Sequence, residues 1–416
     1  MLNPNAGKSI FVQIASFRDS QLLPTLRDMI DKATEPENLK ICICHQHHVD
    51  DEWDNLDEYK DDDRFIIIDV DAKESKGVCW ARNLIQQEYD GEDFTLQLDS
   101  HHRFVEDWDV ELKNEILQLQ LQGYDKPLLT GYISSFHPSL PKDKWAKEPW
   151  QMNFDRFTPD GVVFFSPGSI PNFEDLKTPI PARFYSAHFC FTLGVFCEEV
   201  QHDPEYYFHG EEITIGVRAY TKGYDIFHPH KIVAYHEFSR DYRPDKHWDT
   251  YSNWGNHNEH TFKCMRELLG IDGEGKEKDR YGKYGLGKER TVQDWEEYAG
   301  VQFATRKVKR ETLDNCLPGT GDSKWCNVYK HFVDIDMSNF SEDDYTFCAL
   351  ALHDKDGNTI FRRDADAAEI KEWQKKDIQP ILFNEVIDDI IPHEWVVWPH
   401  SESKGFGERL SGLTGR

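Results

Sequence analysis

Within the first hundred residues short apolar runs alternate with segments of helical periodicity, and this alternation restricts the fold more than any other feature of the chain. Ile10 to Ala15 (IFVQIA), Leu39 to Cys44, Arg64 to Val70 (RFIIIDV) and Phe94 to Asp99 (FTLQLD) read as buried strands. Between them, Gln21 to Lys32 carries Leu22, Leu23, Leu26, Met29 and Ile30 at helical spacing, and Val78 to Gln87 reads as a second helix. Strands separated by helices form βαβ units, so the prediction is an α/β domain on a mostly parallel, Rossmann-like sheet flanked by helices. In such sheets ligands bind beyond the carboxyl ends of the strands. Two segments fall there: Ser16-Phe17-Arg18-Asp19 after the first strand and Asp99-Ser100-His101 after the fourth.

Farther along, Tyr132 to Arg183 is rich in Pro, Phe and Trp with weak periodicity, which suggests an ordered excursion forming one wall of a site. Gly270 to Arg290 is Gly-rich and charged and reads as a linker or mobile loop. Beyond about His331 the texture changes: Val333 to Met337, Tyr345 to Leu352 and Thr359 to Arg362 read as short strands, with Lys355-Asp356-Gly357-Asn358 as a hairpin turn. The expected organisation is a catalytic unit over 1–265, a loop-rich and helical extension over 266–330 and a small β-rich accessory domain over 331–416.

Charge narrows the functional classes. The 76 Asp and Glu outnumber the 48 Lys and Arg, a formal net charge of −28 that repels polyanions and makes nucleic acid a poor partner. The amino terminus has no basic region followed by an apolar stretch, and no run is long enough to span a bilayer, so neither a signal peptide nor a membrane span is expected. Nine irregularly spaced cysteines without a C-x-x-C ladder fit reduced thiols and a cytoplasmic location.

The sharpest chemical signal is Leu96-Gln97-Leu98-Asp99-Ser100-His101. A strand that releases an acid and an imidazole two positions apart lets both turn toward one point, which makes a metal half-site suited to Mn²⁺-like cations that also accept phosphate oxygens. Upstream, Gly77-Val78-Cys79-Trp80-Ala81-Arg82-Asn83 opens a helix whose Arg82 can meet a diphosphate or a carboxylate. Downstream come Phe208-His209-Gly210-Glu211-Glu212 and, ending a strand-like run, His236, a candidate third ligand. For Glu211 and Glu212 the plain alternative is a pair of helix-opening carboxylates favoured by the macrodipole. His45-Gln46-His47-His48 is most simply a solvated loop, and Trp145, Trp150, Phe154 and Phe157 either stack on an acceptor or anchor a loop.

As an ordered set, G-x-x-x-A-R-N, L-x-L-D-S-H, H-G-E-E and Y-H-E-F resemble the motifs of the cytosolic Skp1-hydroxyproline N-acetylglucosaminyltransferase family. They are similar, more distantly, to the polypeptide N-acetylgalactosaminyltransferases with their D-x-H, G-G-E-N and later histidine. The resemblance covers about residues 8 to 260 and implies a GT-A-like fold and a retaining, metal-dependent glycosyltransferase. It implies that Asp99, His101 and His236 bind Mn²⁺ (or Mg²⁺) and that Ser16, Arg18, Arg82, Asp99 and Ser100 contact a UDP-sugar. Glu211, with Glu212 next, would position the acceptor or support the sugar's positive charge. UDP-N-acetylglucosamine is the implied donor, and the acceptor is a hydroxyl on a protein, hydroxyproline included, or on a glycan. His209 and Glu212 depart from G-G-E-N, so the sugar preference of that second family does not carry over. Competing readings are a non-haem iron 2-oxoglutarate oxygenase, a non-catalytic carbohydrate-binding protein and an enzyme that glycosylates a modified nucleobase.

Overall fold

The computed structural model describes residues 7–239, 242, 246–273, 278–387 and 390–414. Its centre is an eight-stranded mixed sheet. β1 (Ile10–Phe17) pairs in parallel with both β2 (Leu39–His47) and β4 (Phe94–Asp99), and β2 pairs in parallel with β3 (Phe65–Asp71). The continuous apolar runs read from the sequence are those of strands covered on both faces. α1 (Leu22–Asp31) and α2 (Val78–Gln86) supply the crossovers, and α3 (Trp108–Leu121) follows the fourth strand. Ile10, Val12, Ile14, Ile41, Ile43, Leu96 and Leu98 meet Leu22, Leu26, Met29 and Trp108 in one core, while Phe11, Cys42, Cys44, Ala81 and Ile85 pack on the opposite face.

Reversal enters the sheet in its second half. Across it the strand order is β10, β12, β6, β11, β4, β1, β2, β3, where β6 is Pro127–Thr130, β10 Ile180–Pro181, β11 Phe189–Leu193 and β12 Asp225–His228. β11 runs antiparallel between β4 and β6, so the expected mostly parallel sheet is parallel on one side and mixed on the other. A small sheet sits beside it: β13 (Ala234–Glu237) lies between β5 (His102–Phe104) and β7 (Ser135–Phe136), and His236 is directly opposite His102.

The aromatic-rich stretch from Tyr132 to Arg183 contains a hairpin, β8 (Trp150–Phe157) with β9 (Val163–Ser169). Phe154 and Phe157 are buried in a second core with Met265, Leu268 and Trp295, and Trp145 packs on Phe136 and Tyr235, so these three rings anchor the excursion. α4 (Phe196–Glu199), α5 (Glu211–Thr221), α6 (His247–Thr250), α7 (Trp254–Leu269) and α8 (Val292–Ala299) complete this half of the molecule. Part of the expected linker, residues 274–277, lies outside the described residues. Around it, Tyr281 is buried, and Lys283 and Gly285 offer their carbonyls to Arg218 of α5.

The carboxy-terminal region is β-rich, with longer strands than the sequence suggests. β14 (Val301–Gln302), β15 (Lys307–Lys309), β16 (Trp325–Asp336) and β19 (Ile378–Ile387) form one sheet. β17 (Tyr345–His353), β18 (Thr359–Asp366), β20 (Glu394–Ser401), β21 (Gly405–Phe406) and β22 (Leu410–Leu413) form the other. Val333, Ile335 and Phe383 from the first meet Leu350, Leu352 and Val397 from the second in a separate core. The turn at Lys355 to Asn358 joins β17 to β18, with Asp354 donating its amide to the Asn358 carbonyl.

Candidate active site

The carboxyl end of β4 delivers Asp99, Ser100 and His101 to the rim of a cavity of about 430 Å³, within the usual range for small-molecule sites. Helix α1 holds this loop through Thr25, whose hydroxyl hydrogen-bonds the carbonyls of Ser100 and His102. Pairing of β13 with β5 then brings His236 across, its ring centroid 4.7 Å from that of His101. One ligand atom from each of Asp99, His101 and His236 lies within 4.8 Å of the others. His101 Nε2 is 3.7 Å and His236 Nε2 3.4 Å from Asp99 Oδ2.

Protonation chemistry shows what this cluster can hold. His101 Nδ1 is 2.8 Å from Asp19 Oδ2, and a carboxylate only accepts, so Nδ1 carries the hydrogen and Nε2 is the ring nitrogen that faces Asp99. Ser100 also donates to Asp19 at 2.5 Å. His236 is buried with neither ring nitrogen hydrogen-bonded, and burial beside His188 pushes its pKa well below the ordinary value, so it is a neutral donor. Burial alone would raise the Asp99 pKa, but His236, Arg82 and His101 hold it well below the usual carboxylate range. Two imidazole nitrogens and an ionised carboxylate fit a divalent cation of the Mn²⁺ class.

Behind the cluster Arg82 joins two acids. Its guanidinium donates to Asp99 Oδ1 at 2.9 Å and to Glu211 Oε1 at 2.8 Å. Two glycines make room for this arrangement. Gly77, at φ +110°, precedes α2 where a Cβ would lie 2.8 Å from the Tyr207 ring, and Gly210, at φ +94°, starts α5 and so presents Glu211 and Glu212 in its first turn. Glu212 accepts from the Ser186 hydroxyl and the Ala187 amide, and burial, reinforced by Glu211, pushes its pKa up to about 7.

The expected residues are thus partly gathered: Arg82, Asp99, Ser100, His101, Glu211, Glu212 and His236 all line the cavity. Ser16 and Arg18 do not. β1 extends through Phe17, so Ser16 is in the strand and not in the loop beyond it, and alternation presents Ala15 and Phe17 to the cavity while Ser16 is buried on the other face. Arg18, at φ +46°, turns away into a bidentate pair with Asp51 at 2.8 and 2.9 Å. His45 and His47 lie within β2 and not in a solvated loop; with Asp69 they form another cluster of potential ligand atoms.

Several lining residues escaped the sequence reading. His188 stacks on His236 at 4.1 Å, and nothing marks it within the run Ser186-Ala187-His188. Asp19 follows the first strand, but its partner His101 lies 82 positions away. Tyr132, Phe164 and Phe165 of the excursion, with Phe208 and Trp248 from later in the chain, make an aromatic wall, so the excursion lines the cavity with rings other than Trp145, Trp150, Phe154 and Phe157.

A family model described as Glycosyltransferase (GlcNAc) matches residues 9–64 and 53–305, most of the chain. The chain belongs to this glycosyltransferase family. Among solved structures, GalNAc-T7 with UDP, GalNAc and Mn²⁺ superposes with a TM-score of 0.50 at 10% identity, covering 96% of this chain and 79% of that one. This GlcNAc-family transferase therefore has a GT-A-like fold with an added β-rich carboxy-terminal region. Two S. aureus TarS structures are also similar. Residues 1–349 with UDP-GlcNAc give a TM-score of 0.36 at 10% identity over 66% of this chain and 78% of that one. The longer TarS gives 0.37 at 10% identity over 97% and 77%. No curated protein sequence matches. No helix among the described residues is long and apolar enough to cross a membrane.

Proposed function

We propose that this GlcNAc-family glycosyltransferase transfers N-acetylglucosamine from UDP-N-acetylglucosamine, with retention, to a hydroxyl on a protein or glycan, hydroxyproline being the protein candidate. The observation that carries the reading is the convergence of Asp99, His101 and His236 at the sheet-end cavity. Asp99, the Nε2 of His101 and the Nε2 of His236 would hold Mn²⁺ or Mg²⁺, with Asp19 fixing the His101 ring. Such a cation, when bound, neutralises charge on the departing diphosphate. Arg82 holds Asp99 and Glu211 in place through its two ion pairs. Phe17, Gln46 and Ser75 would receive the uridine, and the aromatic wall the acceptor side. Glu211 and Glu212 would position the acceptor hydroxyl or support positive charge on the sugar. No covalent residue is assigned, because an acceptor attacking the face the diphosphate leaves can give its proton to the donor's own phosphate.

The cavity sits on an α/β sheet and not inside a double-stranded β-barrel, so the oxygenase reading finds no support. We take 1–265 as the catalytic unit, 266–330 as its extension and 331–416 as an accessory β domain. A cytoplasmic location is supported by nine free thiols. The test is release of UDP from a panel of UDP-sugars in Mn²⁺ or in chelator. UDP-N-acetylglucosamine should be hydrolysed fastest, with the rate lost in chelator and in Asp99→Ala and His236→Ala. Rates indifferent to chelator and to both substitutions would end this reading.

A further inference from the structure

Behind Glu211 is a small internal cavity of about 10 Å³, room for a single water, whose wall includes Cys79, His202, Tyr206 and Arg218. The Cys79 Sγ, His202 Nδ1 and one Glu211 carboxylate oxygen lie within 4.8 Å of one another. Sγ is 2.7 Å and Nδ1 3.8 Å from Glu211 Oε2. From these residues we propose a second cation site, distinct from the Asp99 cluster and selective for a thiophilic divalent ion of the zinc class.

The imidazole is the decisive group. His202 is 1% exposed, and its Nε2 lies 2.8 Å from Gln97 Oε1. The Gln97 amide nitrogen donates to the Ala187 carbonyl and the Tyr185 hydroxyl, which identifies Oε1 as the acceptor. Nε2 therefore carries the hydrogen, and Nδ1 directs a lone pair toward Glu211 with no hydrogen-bond partner of its own. An imidazole oriented through its remote N–H by a carbonyl-type oxygen is the usual outer support of a metal ligand. The Tyr206 hydroxyl, buried at the same cavity, is likewise without a hydrogen-bond partner, so a buried nitrogen and a buried oxygen both lack one there.

Chemistry selects the ion. Zinc bonds of about 2.0 to 2.3 Å in a tetrahedron place sulfur, nitrogen and oxygen donors roughly 3.3 to 3.8 Å apart. The nitrogen-to-carboxylate separation of 3.8 Å is at the top of that range and the sulfur-to-carboxylate separation of 2.7 Å is below it, so sulfur and carboxylate need to part by less than about an ångström. One donor set of thiolate, imidazole and carboxylate favours zinc, whereas the Asp99 cluster has no sulfur. On binding, the Cys79 S–H bond breaks, its proton leaves to solvent and no electron moves. Thiolate and carboxylate then cancel the ion's charge, and a water in this cavity would be the fourth ligand. Glu211 Oε1 stays on Arg82 throughout.

The test uses the whole protein, stripped by chelator and titrated with Co²⁺ as an optical stand-in for zinc. A thiolate-to-cobalt charge-transfer band should grow to one ion per chain, disappear on adding Zn²⁺, and be absent in Cys79→Ser and His202→Gln. It should persist in the Asp99→Ala/His236→Ala double variant, so failure of the sugar-transfer reading and failure of this one are separable. No band in the unsubstituted protein, or a band that survives Cys79→Ser, overturns the proposal. If Cys79→Ser does not fold by circular dichroism, peptide-resolved alkylation of the unsubstituted protein decides: zinc should slow labelling of Cys79 at least tenfold, and an unchanged rate overturns the site.

Discussion

Removing the Arg82 guanidinium should unsettle the fold before it says anything about catalysis. Its side chain is 3% exposed and serves Glu211, at 8%, and Asp99, at 20%. In Arg82→Met the methylenes still fill the space, but two acids lose their shared cation. Breaking a buried pair from one side costs about 3–5 kcal/mol, because a charge is left in a medium that solvates it poorly. We take one such cost and not two, since Asp99, 20% exposed, keeps contact with solvent. At about 2–4 °C per kcal/mol for a domain of this size, the melting temperature in chelator should fall by about 6–20 °C. Adding Glu211→Gln should return part of the loss, as expected for coupled neighbours. The pH dependence has a definite sign. Asp99 is held below its unfolded value, so its contribution is present above the ordinary carboxylate range and fades as pH falls toward its native pKa. The gap between wild type and Arg82→Met should therefore narrow in acid. Scanning fluorimetry and urea melts from neutral pH downward measure it. A melting temperature within about 2 °C of wild type at neutral pH would refute the buried-charge reasoning.

Three further outcomes are expected. Asp19→Asn, which removes the charge that orients His101 while keeping the side chain's size, should weaken Mn²⁺ binding about 10–100-fold by calorimetry; unchanged affinity would mean His101 needs no such support. Glu212 has a native pKa raised to about 7 from 4.5, so between those values the folded state holds a proton the unfolded state has lost, and stability should fall as pH rises. Glu212→Gln should flatten that slope in urea melts at pH 5 and 7.5, and an unaltered slope would assign it to another group. Gly77→Ala should lose about 1–3 kcal/mol from the strained φ, and more if Tyr207 cannot move, whereas a neutral result would show that the turn relaxes.

The α/β class was legible because buried parallel strands are written as uninterrupted apolar runs, and RFIIIDV and FTLQLD leave little alternative. The half-site was legible for a related reason: a strand ending in Asp99-Ser100-His101 carries its chemistry within three adjacent residues. Ser16 was misplaced because a strand end is set by pairing, and β2 continues to His47, drawing β1 on through Phe17. Alternation then decided which of Ala15, Ser16 and Phe17 meets the cavity.

What lay within local reach, the sequence by itself determined: strand and helix periods, the acid and imidazole after the fourth strand, the glycines that open two helices, and an acidic surface. Only the tertiary structure decided the rest. His236 reaches His101 because β13 pairs with β5, Asp19 finds His101 across 82 residues, and Arg82 joins two acids from separate elements. Such contacts depend on strand register and on how an antiparallel β11 enters the sheet. Periodicity records which face of a segment is buried but not which distant segment buries it, and the site is made of exactly those distant choices.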